Sequence, residues 1–268
     1  MNKALALAAF SLREILSAPA YRALIASTLF IAAGAMAISN LFLLENIKVQ
    51  LDLLWLGMSL LTTFYVLVIA GSLLAQDFTQ GIASLFLPHM SRSTYLRARV
   101  FGIIAGLLLL LAVMTLVATA TLAWGLNYTP TAQAHGVSWW APLMLSGMTL
   151  LQSLTILSIV IFTCSWASGL VEMMLFSGVF TGLAFLLPSV MQTMTSTEVM
   201  AEVPDWTAAL IHAVDYLFPD MTGARIALAI AHGLPLPPAE LTWFLIAQMG
   251  YIMLLAAAGF LLFSRRDL

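Results

Sequence analysis

Val100–Trp124 reads VFGIIAGLLLLLAVMTLVATATLAW, 25 residues without one ionisable side chain. At about 1.5 Å per residue, a helix of that length exceeds the ~30 Å hydrocarbon core of a bilayer. It has no polar face to offer water, so it reads as a membrane crossing. Five other stretches read the same way: Leu24–Leu44, Leu53–Ala75, Leu143–Cys164, Leu170–Leu187 and Leu241–Phe263. The composition agrees. Of 268 residues, 62% are hydrophobic and only 8% charged, and the mean hydropathy is +1.02. A soluble domain carries about 25% charged residues, so this chain cannot cover a water-facing surface. The expectation is an all-α integral membrane protein of six transmembrane helices, with residues 1–268 forming a single membrane domain.

Charge sets the orientation. The formal net charge of −2 leaves no basic footprint for nucleic acid. Lys3, Arg13, Arg22, Arg92, Arg97, Arg99, Arg265 and Arg266 fall on the side that bears the termini, and only Lys48 and Arg225 on the other. Basic loops stay cytoplasmic, so both termini are expected there. Met1–Arg22 carries Arg13, Glu14 and Arg22 where a signal peptide would have its apolar centre, so no cleavable signal is expected. Leu5, Ala8, Ala9, Leu12, Ile15 and Leu16 share one helical face before Pro19, which predicts an amphipathic helix on the cytoplasmic surface.

The outer loop Pro188–Glu240 is the one ambiguous crossing. Ala208–Ile230 is apolar enough to tempt, but Asp215, Asp220 and Arg225 lie near its middle. Each costs roughly 2.5–3.5 kcal/mol in a bilayer, more than the surrounding leucines return. Two short outer-face helices fit better: Trp206–Leu217, capped by Asp205, and a second from Thr222 to His232, closed by Gly233.

Site chemistry is sparse. Glu172 is the only ionisable residue inside an assigned span, barely one turn from its cytoplasmic end. It suits either a helix start at the interface or a substrate contact. His89, His135, His212 and His232 lie in loops without metal-ligand spacing, and the single Cys164 excludes an internal disulfide. Met191, Met194 and Met200 cluster on the outer side, where packing explains them more simply than copper. Gly102-x-x-x-Gly106 and Gly178-x-x-x-Gly182 permit close helix approach, within or between chains. The only lysines, Lys3 and Lys48, follow no glycine-rich loop, so the chain has no phosphate-binding loop of its own.

Gln76–Arg99 is the longest cytoplasmic connection. Asp77 is placed to cap a short helix carrying Ile82, Leu85, Phe86 and Leu87. Pro88 ends that helix, and Ser91 or Ser93 restarts one through Tyr95 into the third span. This helix–break–helix elbow suits docking of a soluble partner. It equally suits lying against headgroups with its arginines on lipid phosphate, Arg97 and Arg99 being nearest the bilayer.

Asp77-x-x-x-Gly81, Leu85-Phe86-Leu87-Pro88 and Ser91-Arg92-x-x-Tyr95-Leu96-x-x-Arg99 resemble the first cytoplasmic loop of type-2 ATP-binding-cassette (ABC) exporter permeases. That family reads Glu-x-x-x-Gly-Thr, a leucine run, Pro-x-Ser-Arg, an aromatic and Gly-Lys. Phe10-x-x-Arg13 to Ser17-x-Pro19, Leu217-Phe218-Pro219 and the terminal Phe263-Ser264-Arg265-Arg266-Asp267-Leu268 add to the resemblance from end to end. Asp77 stands for glutamate, Ile82 for threonine and Ala98-Arg99 for Gly-Lys, and Pro88 lies two residues further from Ser91 than the family spacing.

The resemblance implies a permease dimer, with a second copy of this chain or a related one, in the cell (inner) membrane, paired with two copies of a separate ABC-type ATPase. ATP and Mg would be bound by that ATPase and no cofactor by this chain, which would have no catalytic residues. Asp77, Gly81, Leu85, Phe86, Pro88, Ser91, Arg92 and Tyr95 would form the coupling surface. The second and fifth spans would line the path, making Tyr65, Glu172, Gly178 and Gly182 the candidate pathway or gating residues. A secondary transporter or channel working without an ATPase is the alternative; it calls for charged or broken helices at mid-membrane. An intramembrane enzyme calls for a nucleophile–base pair or metal ligands in the spans, and none is found.

Overall fold

A computed structural model describes residues 3–41, 45–79, 90–128, 136–194, 204–217, 222–236 and 238–265. Every regular element among them is helical. In chain order they are α1 (Lys3–Ser17), α2 (Pro19–Ser39), α3 (Asn46–Phe64), a π-helical turn (Tyr65–Ala70) and α4 (Gly71–Thr79). There follow α5 (Arg92–Tyr128), α6 (Ala141–Trp166), α7 (Leu170–Met194), α8 (Asp205–Leu217), α9 (Ala224–His232) and α10 (Pro238–Arg265). Six helical stretches are long and apolar enough to cross a membrane: α2, the run from α3 through α4, α5, α6, α7 and α10. The chain is a multi-pass membrane protein.

The helices outrun the hydropathy windows because their polar ends are helical too. α2 begins five residues before the expected Leu24, at Pro19, whose fixed φ and missing N–H suit a first helical position. The fifth span continues through Pro188 to Met194, so that proline does not end it. Neighbouring helices in a bundle tolerate the one backbone bond that such a proline removes. The first outer-face helix runs from Asp205, one residue before the expected Trp206, to Leu217. The second runs from Ala224, where the Thr222 hydroxyl accepts the Ala224 N–H at 3.2 Å, to His232.

α6 is the centre of the bundle, with 72% of its apolar window buried, against 11% for α10. It packs on α3, α5, α7 and α10. One apolar cluster runs through the bundle, from Cys164, Ala167 and Phe263 near the termini to Ala35 and Ala118; a second, with Ile47, Leu122, Ala141, Ile226 and Phe244, closes the far side. Trp124, Trp139, Trp140, Trp206 and Trp243 are exposed around that far end, as aromatic side chains are at a membrane–water boundary.

Polar side chains inside the bundle pair across helices. Ser59 of α3 donates to Gln152 of α6 at 3.2 Å, Thr155 of α6 donates to Gln248 of α10, and the Thr115 and Ser146 hydroxyls lie 2.5 Å apart. Such interhelical bonds contribute about 0.6 kcal/mol each on average.

Candidate coupling site

The chemistry on the side bearing the termini centres on Arg99. At 37 residues, about 55 Å, α5 is far longer than the hydrocarbon core, and its first turns stand beyond the apolar window. Arg99 sits there, only 3% exposed. Its Nε and Nη2 donate to both oxygens of Asp77 on α4, at 2.7 and 2.9 Å. Its Nη1 donates to Glu14 Oε2 at 2.6 Å and to Ser11 Oγ at 3.0 Å, both on α1. The Tyr95 hydroxyl, one turn before Arg99, also bonds the Asp77 carboxylate. Asp77 is fully buried. An isolated charge at such a site would be costly, so a planar guanidinium fork with carboxylates on two sides is what makes burial tolerable.

This geometry corrects two expectations. Asp77 does not cap a following helix: it lies within α4, and its carboxylate is taken by Arg99. Arg99 does not rest on lipid headgroups: it is enclosed by α1, α4 and its own helix. Both were read as surface groups because each sits alone at the polar end of a span. The spans fold back to back, and this brings the two ends together.

α1 is turned accordingly. Its buried side is Leu7, Ser11 and Ile15, and Leu5 and Leu16 of the expected apolar stripe face outward. The reason is Arg99, which needs Ser11 and Glu14 directed inward. Leu7 packs with Tyr95 and Ala98, Ser11 lies over Gly102 and Ile15 over Gly106, so α1 runs alongside α5 in parallel register. A Cβ on Gly102 would lie 2.5 Å from the Ser11 Cβ and 2.8 Å from the Ala8 carbonyl. The first glycine pair therefore serves contact within the chain. Around Gly178 and Gly182 an added Cβ meets nothing within 4 Å.

The other candidates fall as follows. Ser91 accepts the Thr94 N–H at 3.4 Å and Tyr95 N–H bonds the Ser91 carbonyl, which starts α5 at Arg92. Tyr95 is buried against α1. Gly81, Leu85, Phe86 and Pro88 lie outside the described residues. Tyr65 opens the π-turn; its hydroxyl donates to the Ile103 carbonyl at 2.7 Å, and its ring meets Tyr21 edge-on at 5.9 Å. Glu172 accepts the Ser168 N–H at 2.7 Å across the start of α7.

Asp77 and Tyr95 thus meet at one site, while Tyr65 and Glu172 stand apart from it. Ser11, Glu14 and Arg99 complete that site and were not among the candidate residues. One signal was available: Asp77 and Arg99 are opposite charges at the two ends of a single connection. Among the described residues no group of three His, Cys, Asp or Glu side chains is arranged to hold a metal. Comparison with protein-family models finds no match to this chain, and comparison with curated proteins finds none either.

Proposed function

We propose that this chain is the permease subunit of a type-2 ABC exporter, moving its substrate with ATP hydrolysed by a separate ATPase. It would work as a dimer in the cell membrane with both termini cytoplasmic. The observation that carries the reading is the ordered set of motifs from Asp77 to Arg99, flanked by agreeing segments at both ends of the chain. The Asp77–Arg99 pair supports it mechanically. It joins the helix entering the elbow to the helix leaving it, and Glu14 ties both to α1. A push on such an elbow moves α4, α5 and α1 as one body, and so biases a bistable membrane dimer between inward and outward arrangements.

The test is complex formation. Leu85→Ala or Phe86→Ala, each with Arg92→Ala, should reduce co-purification of the ATPase about 30-fold, the loss of one interface hot spot of ~2 kcal/mol. Membrane yield should hold, since no span changes. An undiminished complex would remove the coupling role. The π-helical turn at Tyr65–Ala70 favours one second reading, a secondary transporter, since such turns often sit at functional positions within helices. Substrate uptake by vesicles holding this chain alone, driven by an ion gradient, would establish that reading instead.

A further inference from the structure

The second span is one helix interrupted once. α3 passes into the π-turn at Tyr65 and emerges as α4 at Gly71, whose N–H bonds the Val66 carbonyl, a π-type step one residue longer than an α-helical one. Two ties to α5 bracket this turn. At its first residue the Tyr65 hydroxyl donates to the Ile103 carbonyl at 2.7 Å, and beyond its end Asp77 takes the Arg99 fork. Tyr65 is held further by Tyr21, which meets it edge-on and donates to the Gly106 carbonyl at 2.9 Å.

Asp77 follows Tyr65 by 12 residues. At about 100° per residue, an unbroken α-helix would set the two about 120° apart, and only one could face α5. The extra residue of the π-turn removes about one such step, which leaves about 20° between them. Arg99 and Ile103 are four residues apart on α5 and so share a face of it. With this number of residues, the π-turn is what lets one helix make both ties. A chain one residue shorter would make them as a plain α-helix. The static fold therefore has no need of the surplus residue, and π-helical turns are rare.

What the surplus residue supplies is freedom between the ties. The wide turn can form at any point between Tyr65 and Asp77 and leave both ties in place. Moving it toward Asp77 turns the residues it passes by about 100°. Ala70 would then stand where Gly71 now stands, against Met173 of α7, whose Cε lies 3.2 Å from a Cβ added to Gly71. The two residues differ by one methyl group, and a methionine side chain is adaptable enough to give way. We propose that the π-turn is a mobile joint: its surplus residue shifts along the span between Tyr65 and Asp77, and the clamped end moves against α3 without opening the clamp. The joint goes beyond the transporter reading and does not depend on it.

The test is disulfide trapping of the intact chain in membranes, in a Cys164→Ser background. Met173→Cys is paired either with Gly71→Cys, which reports the register of the structure, or with Ala70→Cys, which reports the shifted one. Each chain is made with and without Leu67, whose removal leaves no surplus residue. After mild oxidation the linked fraction is read by mass. The Gly71 pair should link in both chains. The Ala70 pair should link in the full chain and fall about tenfold or more without Leu67, because cysteines whose Cβ directions diverge are not bridged.

Equal linking of the Ala70 pair in both chains, or none in either, would overturn the joint. Loss of the Gly71 link in either chain would overturn the register on which it rests. Should the chain without Leu67 fail to fold, removal of Val68 repeats the comparison, and failure of both would show that the turn holds no surplus residue. The trapping needs neither ATPase nor substrate. A failed joint therefore shows as an unshifted register, and a failed transporter reading as absence of an ATPase complex.

Discussion

Both ends of this molecule are fastened by polar side-chain pairs, and the two fastenings differ in kind. At the end bearing the termini, Arg99 spreads four hydrogen bonds over Asp77, Glu14 and Ser11, and its pair with Asp77 is closed to water. At the far end, His232 makes one bond to a half-open Asp52. A buried, forked pair is costly to break because each partner left behind is a buried charge. A single pair near water is replaced by solvent at small cost. The first arrangement suits a part that must move as one piece; the second leaves its partners free to exchange with solvent.

The largest effect should come from breaking the closed pair. Asp77→Ala leaves Arg99 with only Glu14 and Ser11, and Arg99→Ala leaves Asp77 buried without its cation. Either should cost about 3–5 kcal/mol, seen as a sharp fall in folded protein recovered in mild detergent. Arg99→Lys keeps the charge but loses the fork, and should fall between this and the parent. A full yield of stable Asp77→Ala protein would erase the contrast between the two ends.

Next comes the approach of α1. Gly102→Val forces side-chain atoms against the Ala8 carbonyl and Ser11, where even a Cβ is too close. Overpacking of this kind costs about 1–3 kcal/mol. It should also free α1, measured as faster protease cleavage within residues 3–17. Glu14→Gln should do less, about 1 kcal/mol or below, because Glu14 is 37% exposed and solvent already screens its share of Arg99. If Glu14→Gln proved as damaging as Asp77→Ala, the clamp would be held from α1 and not from α4.

The six crossings were legible because burial in lipid writes an unbroken apolar run into the sequence, as in Val100–Trp124. Their ends were less so. Lys48 and Asp52 belong to α3, and Arg92 to α5, though hydropathy stops short of all three. The site was only half legible. Asp77, Tyr95 and Arg99 stood in one set of motifs, but Arg99 also read as a headgroup contact and nothing marked Glu14 as its partner. For α1, periodicity marked an apolar stripe but not the side that packs on the protein: Ile15 of that stripe is buried, Leu5 and Leu16 face outward, and Ser11 and Glu14 turn to the buried guanidinium of Arg99. Gln152 and Gln248 passed unnoticed for a related reason: neutral amides lower a hydropathy average only slightly, and their partners lie more than 90 residues away.

The smallest effect is the one that separates the two ends most cleanly. His232→Gln leaves an amide able to bond Asp52, and at a pH acid enough to charge histidine it also removes an ionic contribution, so stability should change by less than about 1 kcal/mol. Salt should then tell the pairs apart. Charges exposed to solvent are screened over about 10 Å at 0.1 M and about 3 Å at 1 M, whereas enclosed pairs are screened much less. At that acid pH, thermal unfolding of parent and His232→Gln, measured at low and at high salt, should therefore converge as salt rises. The gap between parent and Arg99→Lys should persist across the same range. If both gaps closed together, water would reach Arg99 as freely as His232, and the end bearing the termini would be no more rigid a body than the far side.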